Sequence, residues 1–169
     1  MKTTIQLTFF LLMSFFFIHQ TQAQVAIPTK YDTLYSSTDS HPVVSYSMIC
    51  PKGWIKKEDK SHQGRYTITQ KNVKGSIFFT PINTDISLKE NYEVTLKETE
   101  EDPTKKIGLK VLKPTWFVIS YQQNTTINYL KKWMMEDGTI FYLEFEYPES
   151  ERKLFDSIIS KMTKYNPAQ

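Results

Sequence analysis

From residue 43 onward the hydrophobic positions recur every second residue. Tyr46, Met48 and Cys50 alternate with Ser45, Ser47 and Ile49 until Pro51-Lys52-Gly53 turns the chain. A polar loop through Gly64 follows. Residues 65–70 alternate again, with Tyr66 and Ile68 facing one way and Arg65, Thr67 and Thr69 the other. Residues 71–75 read as a hairpin loop, and 76–80 return as a third strand. The period then changes to 3.6: Leu88, Tyr92 and Leu96 line one side of a helix, opened by Ser87 with Glu90 three residues on, the signature of a capping box. The acidic run "KETEED" opposes the helix dipole, so the last turn is expected to fray, and Pro103 stops the helix. Residues 109–122 read as one strand, bent or placed at an edge by Pro114. Phe117, Ile119 and Tyr121 share one face, Trp116 and Val118 the other, so the sheet is covered on both sides there.

The next segment, "WMMEDGTIFYLEFEYPE", has a register that can be argued from side-chain matching. A two-residue turn at Asp137-Gly138 would set Lys132 opposite Leu143 and Asn128 opposite Tyr147. A three-residue loop, Glu136-Asp137-Gly138, instead pairs Met135 with Thr139, Trp133 with Phe141, Tyr129 with Phe145 and Ile127 with Tyr147. The second register builds an aromatic face broken only by Lys131 opposite Leu143, and it gives the bulged loop the glycine it needs at its third position. Because a slip of one residue exchanges the faces, the bulged register is the expected one. It leaves Tyr142, Glu144 and Glu146 on the other face.

After Tyr147-Pro148, Ser150 is placed to cap a final helix in which Leu154, Phe155, Ile158, Ile159 and Met162 form a wide apolar stripe. The stripe has a sheet to cover, and the opposite face is not strongly basic. Packing on the sheet is therefore expected over binding to a membrane surface. The elements run β-β-β-α-β-β-β-α, the layout of an α+β sandwich: an antiparallel sheet with helices packed on it, across 43–166.

The first 23 residues have a different character. Lys2 precedes an apolar run over 7–18, and Thr21-Gln22-Ala23 presents small residues where a signal peptidase cuts. The run is shorter than the roughly 20 residues of a membrane span, so 1–23 is expected to be a signal peptide and the mature chain to be exported, to the periplasm or beyond. Residues 24–42, with Pro28 and a Ser/Thr run, are expected to form a flexible arm outside the core. Removing 23 of the 169 residues leaves 146, enough for one self-sufficient domain. The mature chain carries 20 basic and 18 acidic side chains, a balance that does not argue for nucleic acid. Short basic clusters, Lys131-Lys132 among them, read as solvated faces.

Little in the sequence announces chemistry. A lone cysteine, Cys50, excludes an internal disulfide and fits a small buried hydrophobe at a strand end. His41 and His62 lie in polar loops, and no metal or cofactor is expected. There is no phosphate-binding glycine loop and no G-x-S-x-G elbow. Asn124-Thr125-Thr126 matches the glycosylation pattern. Glu144 and Glu146, at i and i+2, would suit acid and base roles if one were desolvated. Solvated strand positions facing lysines explain them with fewer assumptions, so the two are expected not to be catalytic.

Two stretches carry a resemblance. "YSMICPKGWI" is similar to the strand-Pro-x-Gly-Trp opening of the Mog1/PsbP-like superfamily, and "FEYPESERKLFDSIISKM" resembles its last strand, proline and C-terminal helix. The resemblance spans about 43–166 and implies a sandwich fold with Trp54 in or at the rim of the core. It also implies a non-catalytic role. Relatives include an accessory subunit of a photosynthetic complex, a binder of a nuclear-transport GTPase and chaperone-like adaptors for bacterial effectors. The expected function is thus an exported, non-enzymatic binding or adaptor protein with a protein partner. A carrier of a small apolar ligand and a periplasmic immunity or inhibitor protein are the alternatives. Trp133, Tyr142 and Glu144 are the candidate partner contacts. A binder should show an exposed aromatic or charged patch, a carrier an enclosed apolar cavity, and an enzyme a titratable group of shifted pKa in a cleft.

Overall fold

A computed structural model describes residues 29–37, 45–61, 64–82 and 84–165. The expected signal peptide, His41 and His62 lie outside these residues. Among the described residues, nine strands and two helices run in the order β1 (Tyr31–Ser37), β2 (Ser45–Pro51), β3 (Ile55–Glu58), β4 (Tyr66–Thr69), β5 (Ser76–Ile82), α1 (Leu88–Glu100), β6 (Lys105–Leu112), β7 (Trp116–Gln123), β8 (Thr126–Met134), β9 (Ile140–Pro148) and α2 (Arg152–Met162). A single 3-10 turn, Glu149–Glu151, leads into α2. Seven strands form one antiparallel sheet in the order β3-β4-β5-β9-β8-β7-β6, and β1 and β2 form a separate ribbon. The ribbon and α2 cover one face of the sheet and α1 covers part of the other. This is the expected α+β sandwich, with more strands than the hydrophobic pattern disclosed.

Three strands went unread for physical reasons. In β1, assigned by sequence to the flexible arm, Leu34 enters the core at 8% exposure beside Met48 while the next residue, Tyr35, is 69% exposed. One ribbon of alternating Ser, Thr, Asp and Tyr buries too little to show a hydrophobic period. The four side chains of β3 are all exposed, so this edge strand has no alternation at all. The segment over 109–122 is two strands, because Pro114 sits in the turn between β6 and β7, where its missing N–H costs no ladder bond. A bulge between Ile107 and Leu109 marks β6 as an edge.

The β8–β9 hairpin has the bulged register: Trp133 pairs with Phe141, Tyr129 with Phe145 and Ile127 with Tyr147, and the Met135 N–H donates to the Thr139 carbonyl at 2.8 Å. Gly138 has φ +85°, the left-handed conformation that such a loop requires at its third position. Asp137 holds the loop twice, accepting from the Thr139 N–H at 2.9 Å and from the Tyr46 hydroxyl of β2 at 2.5 Å.

Helix α1 starts with the capping box formed by Ser87 and Glu90. Ser150 does not cap α2. It lies inside the 3-10 turn, and the N-cap position is Glu151, without a side-chain bond. Leu154, Phe155, Ile158, Ile159 and Met162 are all buried as the stripe required. Phe155 lies flat on Tyr147 at 4.4 Å between ring centres and meets the edge of Trp54 at 6.0 Å, which puts Trp54 in the core. Cys50 is fully buried at the end of β2, and burial raises its thiol pKa.

Candidate functional site

Side chains directly opposite one another on neighbouring strands share a face, so the pairing register yields the outer face row by row. One row runs Phe78, Glu144, Leu130, Ile119; the next Thr80, Tyr142, Lys132, Phe117; a third Ser76, Glu146, Asn128, Tyr121. Helix α1 covers the β7–β8 half of these rows. Leu88, Tyr92 and Leu96 pack on Phe117, Ile119, Leu130 and Ile140, with Tyr92 edge-on to Phe117. Among the described residues, no helix lies over the β5–β9 half. An open cleft of about 360 Å³ lies there, lined by Arg65, Phe78, Thr80, Ile82, Tyr142, Glu144 and Glu146.

The chemistry of the cleft centres on Tyr142 and Glu144. Both are half-buried, and the Tyr142 hydroxyl donates to the Glu144 carboxylate. Burial raises the Glu144 pKa above the usual carboxylate range, with the Glu146 charge adding to it. The Tyr142 hydrogen bond and the Lys132 and Arg65 charges pull it back. Burial and the Glu144 charge also keep Tyr142 protonated far above the ordinary phenol range. Glu144 is therefore not the wet strand position read from the sequence, whereas its neighbour Glu146 is exposed. The difference comes from the rows: Glu144 stands between Phe78 and Leu130, Glu146 between Ser76 and Asn128.

Trp133 is not part of this arrangement. It points to the inner face, 8% exposed, with its ring against Phe141. Of the three residues singled out in the sequence, the fold brings Tyr142 and Glu144 together and sends Trp133 into the core. Strand alternation alone places Trp133 with Phe141.

The two lysines read as a solvated cluster are both buried. Lys131 faces inward between the rings of Trp116 and Trp133, its Nζ 4.7 Å and 4.4 Å from their centres, and donates to the Thr163 carbonyl at the end of α2 at 2.7 Å. Burial pulls its pKa down to about 8. Lys132 faces outward and ties α1 down, donating to the Asn91 side chain at 2.7 Å above the rings of Phe117 and Tyr142. Consecutive residues of a central strand thus anchor helices on opposite faces, a use of lysine that composition does not signal.

Asn124 of the glycosylation triplet sits exposed in the β7–β8 turn with φ +54°. Among the described residues no three His, Cys, Asp or Glu side chains cluster as a metal site would require. No helix among them is long and apolar enough to cross a membrane.

No protein-family model and no curated protein sequence matches the chain. Solved structures do. That of the Ran-binding protein Mog1p from Saccharomyces cerevisiae matches with a TM-score of 0.52 at 12% identity, over 82% of this chain and 97% of that one. The solution structure of PsbP (CyanoP) from Synechocystis sp. PCC 6803 matches with a TM-score of 0.47 at 10% identity, over 83% and 93%. At such identity the likeness to Mog1p is one of fold alone. This chain has the Mog1/PsbP-like fold.

Proposed function

We propose that the protein is an exported, non-catalytic binding or adaptor protein that docks a protein partner on the outer face of its sheet, over β5 and β9. The observation carrying this reading is the asymmetry of the sandwich. The inner face is closed by α2 and the β1–β2 ribbon, while α1 leaves the β5–β9 half of the outer face open. That open half mixes apolar, aromatic, hydroxyl and carboxylate side chains, the composition of an interface with an apolar middle and a polar rim. Mog1p, of the same fold, is named as a Ran-binding protein, which is consistent with a protein partner. The cleft is open and partly polar, which suits a small apolar cargo poorly. An immunity or inhibitor role is the same surface used against an enzyme or toxin.

A second reading has one observation behind it. Glu144 is a carboxyl of raised pKa in a cleft, the feature expected of a general acid. Its carboxylate is held by Tyr142, which favours a fixed binding contact over a group free to move a proton.

Native mass spectrometry on the chain purified gently from an exporting host tests the proposal. A stoichiometric second protein that is lost on Phe78→Lys supports it. A small-molecule adduct on the wild type supports the carrier instead. A bare chain recovered after cross-linking in the host contradicts docking.

A further inference from the structure

The open face carries a second concavity, of about 310 Å³, lined by Gly75, Ser76, Thr126, Glu146, Tyr147 and Pro148. It shares Glu146 with the cleft, and the two lie end to end along the seam between β5 and β9. The lining residues of β9 run from Tyr142 to Pro148 and rise about 3.3 Å each, so the combined groove is about 20 Å long. A groove of that length spans about six residues of a chain in extended form.

Charge decides what such a chain should carry. Glu144 and Glu146 stand on the same face, two residues apart, midway along the groove. The nearby cations are felt at Glu144 but have their own partners: Lys132 bonds to Asn91 on α1, and Arg65 at the rim stands 4.0 Å from Asp59. Glu146 enters no ion pair among the described residues. Beside the carboxylates, the ring of Phe78 offers a platform for the methylene stem of a long cationic side chain, and Ser76 and Thr80 offer hydroxyls.

We propose that the groove receives an extended segment of the partner protein and seats one of its lysine or arginine side chains between Glu144 and Glu146. This rests on the reading that the outer face is the docking face. Both free edges of the sheet argue against the commoner mode, strand addition. Edge strand β3 carries Lys56 and Lys57, and edge strand β6 carries Lys105, Lys106, Lys110 and the bulge. Lysines and bulges are the devices by which edges refuse another strand. A cation against Glu144 also offsets the desolvation that its charged form now bears.

The test is a displayed library of random seven-residue peptides selected on the full chain. Selected peptides are then synthesised and titrated against the wild type, Glu146→Gln, Glu144→Gln/Glu146→Gln and Phe78→Lys, each verified by its thermal melt. Glu146 is exposed, so its single variant keeps the fold even if the double variant does not. The inference expects selected peptides to contain Lys or Arg, and to bind at least tenfold more weakly to the glutamine variants and at raised salt. Peptides weakened by Phe78→Lys but indifferent to the glutamine substitutions overturn the cation contact and leave the docking face standing. Peptides indifferent to all three variants overturn both. Failure to select any peptide overturns the extended-segment inference.

Discussion

Replacing Lys131 by methionine exchanges an ammonium wedged between two tryptophans for an apolar chain of similar length. The wild-type residue is 8% exposed, its pKa is lowered from 10.5 to about 8 by burial, and no ion pair among the described residues offsets the loss of water. What holds the charge is two ring faces, worth roughly 0.5–2 kcal/mol each, and the bond to the Thr163 carbonyl, roughly 1.5–3 kcal/mol for a charged donor. The pH dependence follows from the direction of the shift. Between pH 8 and 10.5 the unfolded chain binds more protons at this amine than the folded chain, so stability rises with pH. With the folded value at about 8, the gain between pH 7 and 9 is about 1 kcal/mol. The tyrosines whose pKa values are raised titrate above this window and are shared by both proteins. Guanidinium unfolding followed by circular dichroism at pH 7 and pH 9 gives the comparison. The stability of the wild type minus that of Lys131→Met should become more favourable to the wild type by about 1 kcal/mol on going to pH 9. A difference that stays flat, or moves the other way, would show that the ammonium is not desolvated and would refute the reasoning.

Three further outcomes are expected. Phe155→Ala removes a fully buried ring stacked on Tyr147 and edge-on to Trp54, and should cost about 3–5 kcal/mol in denaturant unfolding. Gly75→Ala should cost about 3 kcal/mol or more, read as a fall in the thermal midpoint. Its φ is +139°, and an added Cβ would stand 2.7 Å from both the Glu146 carbonyl and the Phe155 ring. Glu144→Gln should be more stable than the wild type near neutral pH, with the advantage shrinking as pH falls towards 4.5. A carboxyl whose folded pKa is raised contributes most when protonated, and that contribution is lost as pH rises through the folded value. An advantage independent of pH would mean that Glu144 is not desolvated.

The parts of this fold legible in the sequence are those where one face is apolar and the other is not. The hairpin register was readable because Phe141, Leu143, Phe145 and Tyr147 demand one face, and Asp137-Gly138 admits only one loop consistent with it. The stripe of α2 and the capping box of α1 were readable for the same kind of reason. β1 and β3 were not. The first buries one face through a few residues and the second buries none, so neither carries a period. The candidate site was half legible: alternation placed Tyr142 and Glu144 together, but not the fact that Phe78 and Leu130 flank Glu144 and half-bury it. Buried Lys131 was out of reach, because its partners come from β7, its own strand and the end of α2, which only the folded chain brings together.

The central claim, that the open β5–β9 face is where a partner docks, is tested most directly by site-specific cross-linking. A photoreactive residue replaces Thr80 in one protein and Lys153, on the exposed side of α2, in another. Each is expressed in an exporting host and irradiated in place. A discrete protein adduct is expected from position 80 and none from position 153. An adduct from position 153 alone would contradict the claim.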